Sequence, residues 1–156
     1  MNIRPATRAD VPTILGFIKD LAEYEKLSHE VVADEAALAA TLFGARPGAE
    51  VLICDDPDPI GFALFFTSYS TFLAKPGLYL EDLFVRPAAR GRGAGKALMV
   101  ALANLCVERD YGRFEWSVLD WNEPALQFYR SLGAKPQAEW TVQRVTGDAL
   151  RELARR

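Results

Sequence analysis

The chain has 156 residues, half of them hydrophobic and a quarter charged, with a formal net charge of −3. One hydrophobic core suffices at this length, so we expect a single domain spanning residues 1–156. The sequence has no basic block and no apolar run near the ~20 residues that span a bilayer. These features argue against nucleic-acid and membrane partners and favour a cytoplasmic protein.

Metal and thiol chemistry have little support in the sequence. The only cysteines are Cys54 and Cys106, one in a predicted strand and one in a predicted helix, and the only histidine is His29. They provide too few ligands for a zinc site and make a serine–histidine–aspartate triad hard to build. We therefore expect no metal, and a chemistry carried by carboxylates, tyrosines, backbone groups or a cofactor.

The first half of the chain predicts two helices and several strands. A short strand at residues 3–6 precedes a helix that begins with Thr7 and Asp10 in capping-box spacing and continues to about Tyr24. A second helix is predicted over Asp34–Phe43. β-Branched and aromatic runs then predict three strands, at residues 50–54, 60–69 and 78–85. An acidic, proline-containing turn joins the first two of these as a hairpin.

In the strand predicted at residues 78–85, the alternation of aliphatic residues shifts by one position. Leu78 and Leu80 share one parity, whereas Leu83 and Val85 share the other. A β-bulge at residues 81–82 explains the change, and a strand buried on both faces explains it equally well.

Helices and strands alternate in the second half of the chain. Asn122 is placed to cap one of these helices and Gly133 to end it. The other predicted elements are a helix at 93–109, a strand at 114–119, a strand at 140–145 and a helix at 148–155. The order predicts an α/β fold with a mixed, mostly antiparallel central sheet flanked by helices.

The most informative segment is the glycine loop, residues 90–96, between a predicted strand and an apolar helix. Its glycines allow successive backbone N–H groups to point into one concavity, and the positive end of the following helix favours an anion there. A pyrophosphate is the ligand that this pattern favours, and a flexible loop with solvated arginines is the alternative. The candidate contacts are Arg90, Gly91, Arg92, Gly93, Ala94, Gly95 and Lys96.

Spacing excludes two other phosphate-binding motifs. A Walker A loop needs four residues between its first glycine and Gly-Lys, but only three separate Gly91 from Gly95, and Ala97 replaces the hydroxyl residue after the lysine. The Rossmann pattern needs Gly-x-Gly-x-x-Gly, whereas this loop is Gly-x-Gly-x-Gly.

Residues 85–95 resemble the acetyl-CoA pyrophosphate loop of the GNAT superfamily of N-acetyltransferases. Arg90, Gly93 and Gly95 occupy the positions of its pattern Arg/Gln-x-x-Gly-x-Gly/Ala. Three other segments resemble the diamine (spermidine/spermine and thialysine) N-acetyltransferase group within that superfamily, at residues 3–7, 79–85 and 121–124. The resemblance covers nearly the whole chain.

This resemblance implies a GNAT fold, acetyl-CoA as cosubstrate and a homodimer. It also implies acetyl transfer to the primary amine of a small di- or polyamine or a lysine-like amine such as thialysine, by direct attack in a ternary complex. Phe84, Val85 and Asn122 join the glycine loop as expected cofactor contacts.

The reaction needs a base and an acid, since an alkylammonium with a pKa of ~10.4 is almost fully protonated near pH 7. Glu81, at the change in strand alternation, matches the family's base, acting through an ordered water. Tyr129 matches the tyrosine that protonates the coenzyme A thiolate. From the residues alone, a solvent-facing Glu81 and an ordinary half-buried Tyr129 are the alternatives.

A cationic amine calls for carboxylates and aromatic faces around it. Tyr24 and Glu25 align with substrate-lining positions of the family, and Asp82 and Trp121 are further candidates. Asp120 is a weaker candidate, with solvated surface charge as the ordinary alternative.

Two other functions remain open at this stage. A GNAT enzyme acting on a protein lysine, a protein N-terminus or an antibiotic amine would have a different acceptor groove. A non-catalytic acyl-CoA sensor would keep the glycine loop without turnover.

Overall fold

The computed structural model describes all residues from 1 to 156. By their internal contacts they form two compact units, residues 1–119 and residues 120–156. The first unit contains the whole β-sheet with three helices, and the second contains two helices. No helix is long and apolar enough to cross a bilayer.

One five-stranded sheet organises the first unit, with its strands in sequence order from edge to edge. The strands are β1 (Asn2–Pro5), β2 (Glu50–Asp55), β3 (Pro59–Ser70), β4 (Lys75–Val85) and β5 (Phe114–Trp116). Neighbouring strands from β1 to β4 are antiparallel, whereas β5 runs parallel to β4. The predicted mixed, mostly antiparallel sheet is confirmed.

Five α-helices accompany the sheet: α1 (Val11–Tyr24), α2 (Glu35–Phe43), α3 (Ala94–Glu108), α4 (Glu123–Ser131) and α5 (Gly147–Ala154). A 3₁₀ turn precedes α1, and there the main-chain N–H of Thr7 donates to the Asp10 carboxylate at 2.7 Å, as the capping-box spacing predicts. Gly133 follows α4 with φ +93°, the left-handed conformation that ends a helix.

Aromatic rings fill the core between α1 and the sheet. The fully buried ring of Phe17 on α1 stacks on Phe62 of β3, with 5.2 Å between centroids, and lies 6.2 Å from Phe84 of β4. Leu98 and Leu102 of α3 are also fully buried, and α3 packs on β3 and β4. Both predicted helices thus bury an apolar face against the sheet.

A β-bulge interrupts β4, which is one of the two explanations that the change in alternation left open. Leu64 of β3 pairs with Asp82, and the next residue, Phe65, pairs with Leu80, so Glu81 has no partner across the ladder. Cross-strand partners point to the same side of a sheet. Because Leu64 packs against the core cluster of α1, the bulge places Asp82 on the α1 face of the sheet.

Two predicted strands differ from the structure. Residues 140–145 form no strand, and Trp140 and Val142 are exposed. A strand requires a partner for its backbone N–H and C=O groups, and no other segment pairs with this one. The alternation of apolar residues was therefore not sufficient to predict a strand here. The strand predicted at 114–119 ends at Trp116, because β4 pairs with it only through that residue.

Candidate active site

A 3₁₀ turn, Pro87–Ala89, joins β4 to the glycine loop, which leads into α3. Gly91 and Gly93 have φ of +82° and +86°, and a Cβ built on either would meet no atom within 4 Å. Their conformation, and not a lack of space, therefore requires glycine. The two left-handed residues turn the chain so that Gly93 becomes the N-cap of α3.

The first turn of α3 lacks the side-chain cap that two other helices have. The Asp34 carboxylate accepts from the N–H of Ala37 at the start of α2, and the Asn122 amide oxygen accepts from the N–H of Ala125 at the start of α4. No side chain caps α3 at Gly93, and no acidic residue lies in its first turn. Its leading N–H groups and its positive dipole end are thus available to an anion.

Three basic residues of the glycine loop have different environments. Nε of Arg90 donates to the Val85 carbonyl at 3.0 Å. Arg92 forms an ion pair with Asp56, 3.3 Å between Nη1 and Oδ2, so in this structure its charge is directed to the β2–β3 turn. Lys96 is exposed in the first turn of α3 and forms no salt bridge. Arg90 and Lys96 therefore remain the cations most accessible to an anion at the loop.

The other expected cofactor contacts of the first unit face the protein interior. The side chains of Phe84 and Ala94 are buried in the core, 4% and 2% exposed, and Val85 is half-buried. These side chains therefore pack against the protein, and the three residues can contact a ligand mainly through their main-chain groups. Gly95 lies within the first turn of α3, where its N–H is one of the uncapped donors.

An acidic cluster, Glu25, Glu81 and Asp82, lies where α1 ends beside the bulge. Tyr24 is the last residue of α1, and Glu25 is its C-cap. Because the bulge turns Asp82 to the α1 face, it lies within electrostatic range of both glutamates. Tyr24 and Glu81 are exposed, whereas Glu25 and Asp82 are half-buried.

The cluster is electrostatically unsatisfied without a cation. Burial, together with the charges of Glu81 and Glu25, raises the pKa of Asp82 to about 6. Burial also raises the pKa of Glu25. A carboxylate that is desolvated beside two like charges is stabilised by a cation placed between them. The arrangement is suited to binding a positively charged group.

We expect Asp82→Asn to stabilise the protein near pH 7.5. The pKa of Asp82 is higher in the folded chain than its ordinary 3.8, so its charge opposes folding above pH 6 and the opposition vanishes as the pH falls below 4. The neutral amide should raise the free energy of unfolding by about 3 kcal/mol at pH 7.5. Thermal unfolding followed at several pH values measures this gain, which should shrink steadily between pH 6 and pH 4.

The matched control is Asp20→Asn, which neutralises an exposed carboxylate on α1 outside the acidic cluster. This change should leave the melting temperature nearly unchanged. A gain for Asp82→Asn that is independent of pH would show that desolvation of Asp82 is not its source.

In the second unit, α4 presents the remaining candidates. Asn122 is buried and caps the helix with its amide oxygen, 3.3 Å from the N–H of Ala125. Tyr129 lies two turns later on the same helix, half-buried, its ring 5.5 Å from that of Phe128. Trp121, just before the cap, is 51% exposed. A seven-residue spacing returns Asn122 and Tyr129 to nearly the same side of α4.

The structure thus groups Tyr24, Glu25, Glu81 and Asp82 at one place in the first unit, beside the glycine loop that begins one 3₁₀ turn after the same strand ends. Sequence analysis missed Asp56, which holds Arg92 and lies 3.6 Å from the N-terminal ammonium group. Its only sequence signal was that of a turn residue, and nothing in that signal indicates an ionic partner 36 residues away.

The sheet is mixed, its fourth strand is bulged, and the helix that follows starts without a side-chain cap. The acetyltransferase (GNAT) family model matches residues 17–134, so the chain belongs to this family and is an acetyl-transferring enzyme. The expected GNAT fold is confirmed. Among solved structures, an integron cassette protein from the mobile metagenome of V. cholerae aligns with a TM-score of 0.83 and 27% identity, covering 99% of this chain and 98% of the other.

Relatives of assigned activity place the chain within the family. It is 36% identical to the L-ornithine N5-acetyltransferase NATA1 of Arabidopsis thaliana, over 97% of this chain and 87% of that protein. It is 37% identical to the thialysine N-epsilon-acetyltransferase of Mus musculus, over 99% of this chain and 98% of that protein. The resemblance to the diamine and thialysine group is thereby confirmed.

Proposed function

We propose that this protein transfers the acetyl group of acetyl-CoA to the primary amine of a small di- or polyamine or of a lysine-like acceptor such as thialysine. One observation carries the proposal. A bulge in β4 turns Asp82 towards the end of α1, and the glycine loop begins one 3₁₀ turn after the same strand ends. A candidate site for a cation and a candidate site for an anion are thus close together along the chain.

Acetyl-CoA fits the glycine loop because its pyrophosphate is the anion that an uncapped helix start receives best. The left-handed conformations of Gly91 and Gly93 are of the kind that lets successive main-chain N–H groups face one anion. Arg90 and Lys96 add positive charge at the rim of the loop. Arg92, held by Asp56, supports the shape of the loop in our proposal and contacts the pyrophosphate only if that ion pair opens.

The small amine is recognised by charge. Glu25 and Asp82 supply half-buried carboxylates, and Tyr24 supplies an aromatic face. Trp121, in the second unit, stays a further candidate for contact with the amine in our proposal. The acceptors named for the relatives, ornithine and thialysine, carry a terminal alkylammonium. Such a group suits a cluster of carboxylates far better than an uncharged acceptor would, since it relieves their mutual repulsion.

Glu81 and Tyr129 move the protons in this scheme. Glu81 takes a proton from the ammonium through a water molecule, and the neutral nitrogen then attacks the thioester carbonyl directly. As the carbon–sulfur bond breaks, the phenol of Tyr129 donates its proton to the departing sulfur. The nitrogen loses its second proton to solvent as the amide forms, and solvent returns a proton to the Tyr129 phenolate. Asn122 contacts the cosubstrate while it caps α4. The N–H groups released by the bulge are donors of the kind that stabilise a developing oxyanion.

A turnover screen tests the function. Thiol release from acetyl-CoA would be measured with polyamines, thialysine, ornithine, lysine and short lysine-containing peptides as acceptors. We expect the highest kcat/KM with a small amine that carries a second charged group. Activity confined to peptides would overturn the acceptor class, and retained coenzyme A binding without turnover on any acceptor would identify a sensor in place of an enzyme.

We also propose a homodimer, on family resemblance. The large apolar side chains between residues 140 and 153 are exposed, namely Trp140, Val142, Val145, Leu150 and Leu153. The outer edge of β5 has no pairing strand, and a second copy of the chain would cover such surfaces. Light scattering after gel filtration measures the molar mass, and the mass of one chain would contradict the dimer.

We propose a cytoplasmic location as well.

A further inference from the structure

Arg90 lies between the two proposed ligand sites. Its guanidinium carbon is 5.1 Å from the ring centroid of Tyr24 and 5.6 Å from that of Phe84. Its Nε donates to the carbonyl of Val85. One residue of the glycine loop therefore contacts the end of α1, where Tyr24 precedes the Glu25 carboxylate of the acidic cluster.

When no anion is bound at the glycine loop, Arg90 in this position disfavours the binding of a cationic amine beside Tyr24. A guanidinium over the face of Tyr24 uses the negative potential of that face. A second cation approaching the same ring meets the positive charge of Arg90 at short range. Arg90 and the ammonium group thus compete for Tyr24.

A pyrophosphate bound at the glycine loop removes this competition. Guanidinium–phosphate pairs are charge-assisted and often bidentate, and each such bond is about twice as strong as a neutral hydrogen bond. A cation–π contact at an exposed site is weaker than such a pair. The phosphate oxygens therefore neutralise the guanidinium in place or draw it away from Tyr24, and either outcome favours an amine beside that ring.

We infer that the Arg90–Tyr24 contact couples the two sites, so that coenzyme A and the cationic amine each tighten the binding of the other. The inference rests on the proposed function and adds to it a positioning role for Arg90. Reciprocity is required, because a coupling free energy belongs to both ligands equally.

Calorimetry with coenzyme A, which carries no acetyl group to transfer, measures the coupling. Coenzyme A would be titrated into the protein alone and into protein saturated with the amine that the turnover screen accepts best, thialysine in the first instance. We expect the amine to lower the dissociation constant of coenzyme A about fivefold to tenfold in the wild type. Arg90→Gln and Tyr24→Leu should reduce this factor to nearly one, whereas Tyr24→Phe, which keeps the ring, should retain it.

The matched control is Arg86→Gln. Arg86 also stacks on a ring, 4.9 Å from the centroid of Phe17, and lies just before the glycine loop, so its loss removes the same charge without removing the Tyr24 contact. In Arg86→Gln, the amine should lower the dissociation constant of coenzyme A by the same factor as in the wild type. A wild-type factor of one, or an unchanged factor in both Arg90→Gln and Tyr24→Leu, would overturn the inference. Failure of the proposed function is a separate result, namely no coenzyme A binding or no transfer to any small amine.

Discussion

Replacing Tyr129 by phenylalanine should lower kcat by roughly 100-fold or more while leaving coenzyme A affinity within about twofold, because a general acid contributes about 10²–10⁴ to a rate. The substitution removes one oxygen and keeps the ring, so the packing of Tyr129 beside Phe128 persists. The loss should therefore lie in the breakdown of the thioester and not in the binding of either ligand. Steady-state kinetics combined with calorimetry separates the two effects.

The control for this variant is Tyr69→Phe. Tyr69 lies on β3 and is 59% exposed, so loss of its hydroxyl should change neither kcat nor KM. Equal kcat values for wild type and Tyr129→Phe would remove Tyr129 from the chemistry and leave it a structural role on α4. A rise in KM with kcat unchanged would indicate a contact that serves binding alone.

The parts of the fold fixed by local signals could be predicted well. Alternating and helical periodicity located β2, β3, β4 and the first three helices, and a shift in parity indicated a bulge at residues 81–82 as one of two explanations. Residues 140–145 show the limit of this reasoning. Their apolar alternation is that of a strand, yet strand formation depends on a partner that the local sequence does not specify.

The site was predictable to the extent that its residues are adjacent in sequence. The glycine loop is one continuous motif, so its spacing alone indicated an anion site. The contact of Arg90 with Tyr24, across 66 positions, and that of Arg92 with Asp56 arise from the way β4 and the β2–β3 turn meet α1 and α3. No periodicity encodes such contacts, because they depend on tertiary packing.

The structure distinguishes two residues of the acidic cluster that the sequence alone could not distinguish. Glu81 and Asp82 are neighbours of the same charge, but the bulge leaves Glu81 exposed and unpaired in the ladder while it turns the half-buried Asp82 towards α1. The raised pKa of Asp82 follows from that burial. This difference supports our proposal that Asp82 binds the cation and that Glu81 takes the proton.

Glu81→Gln should consequently lower kcat/KM by about 100-fold at pH 7, since general-base catalysis contributes about 10²–10⁴. An alkylammonium with a pKa of ~10.4 supplies little neutral amine at that pH, and the fraction rises tenfold with each pH unit. The deficit of the variant should thus narrow as the pH approaches 10, where the solvent deprotonates the acceptor. A pH profile of kcat/KM for wild type and variant measures this convergence.

A control for the profile is Glu108→Gln, which neutralises an exposed glutamate at the end of α3 and should follow the wild-type curve at every pH. A deficit of Glu81→Gln that stays constant up to pH 10 would show that Glu81 contributes charge and not proton transfer. In that case the ammonium would lose its proton to another group, and Asp82, deprotonated above about pH 6, would be the next residue to substitute.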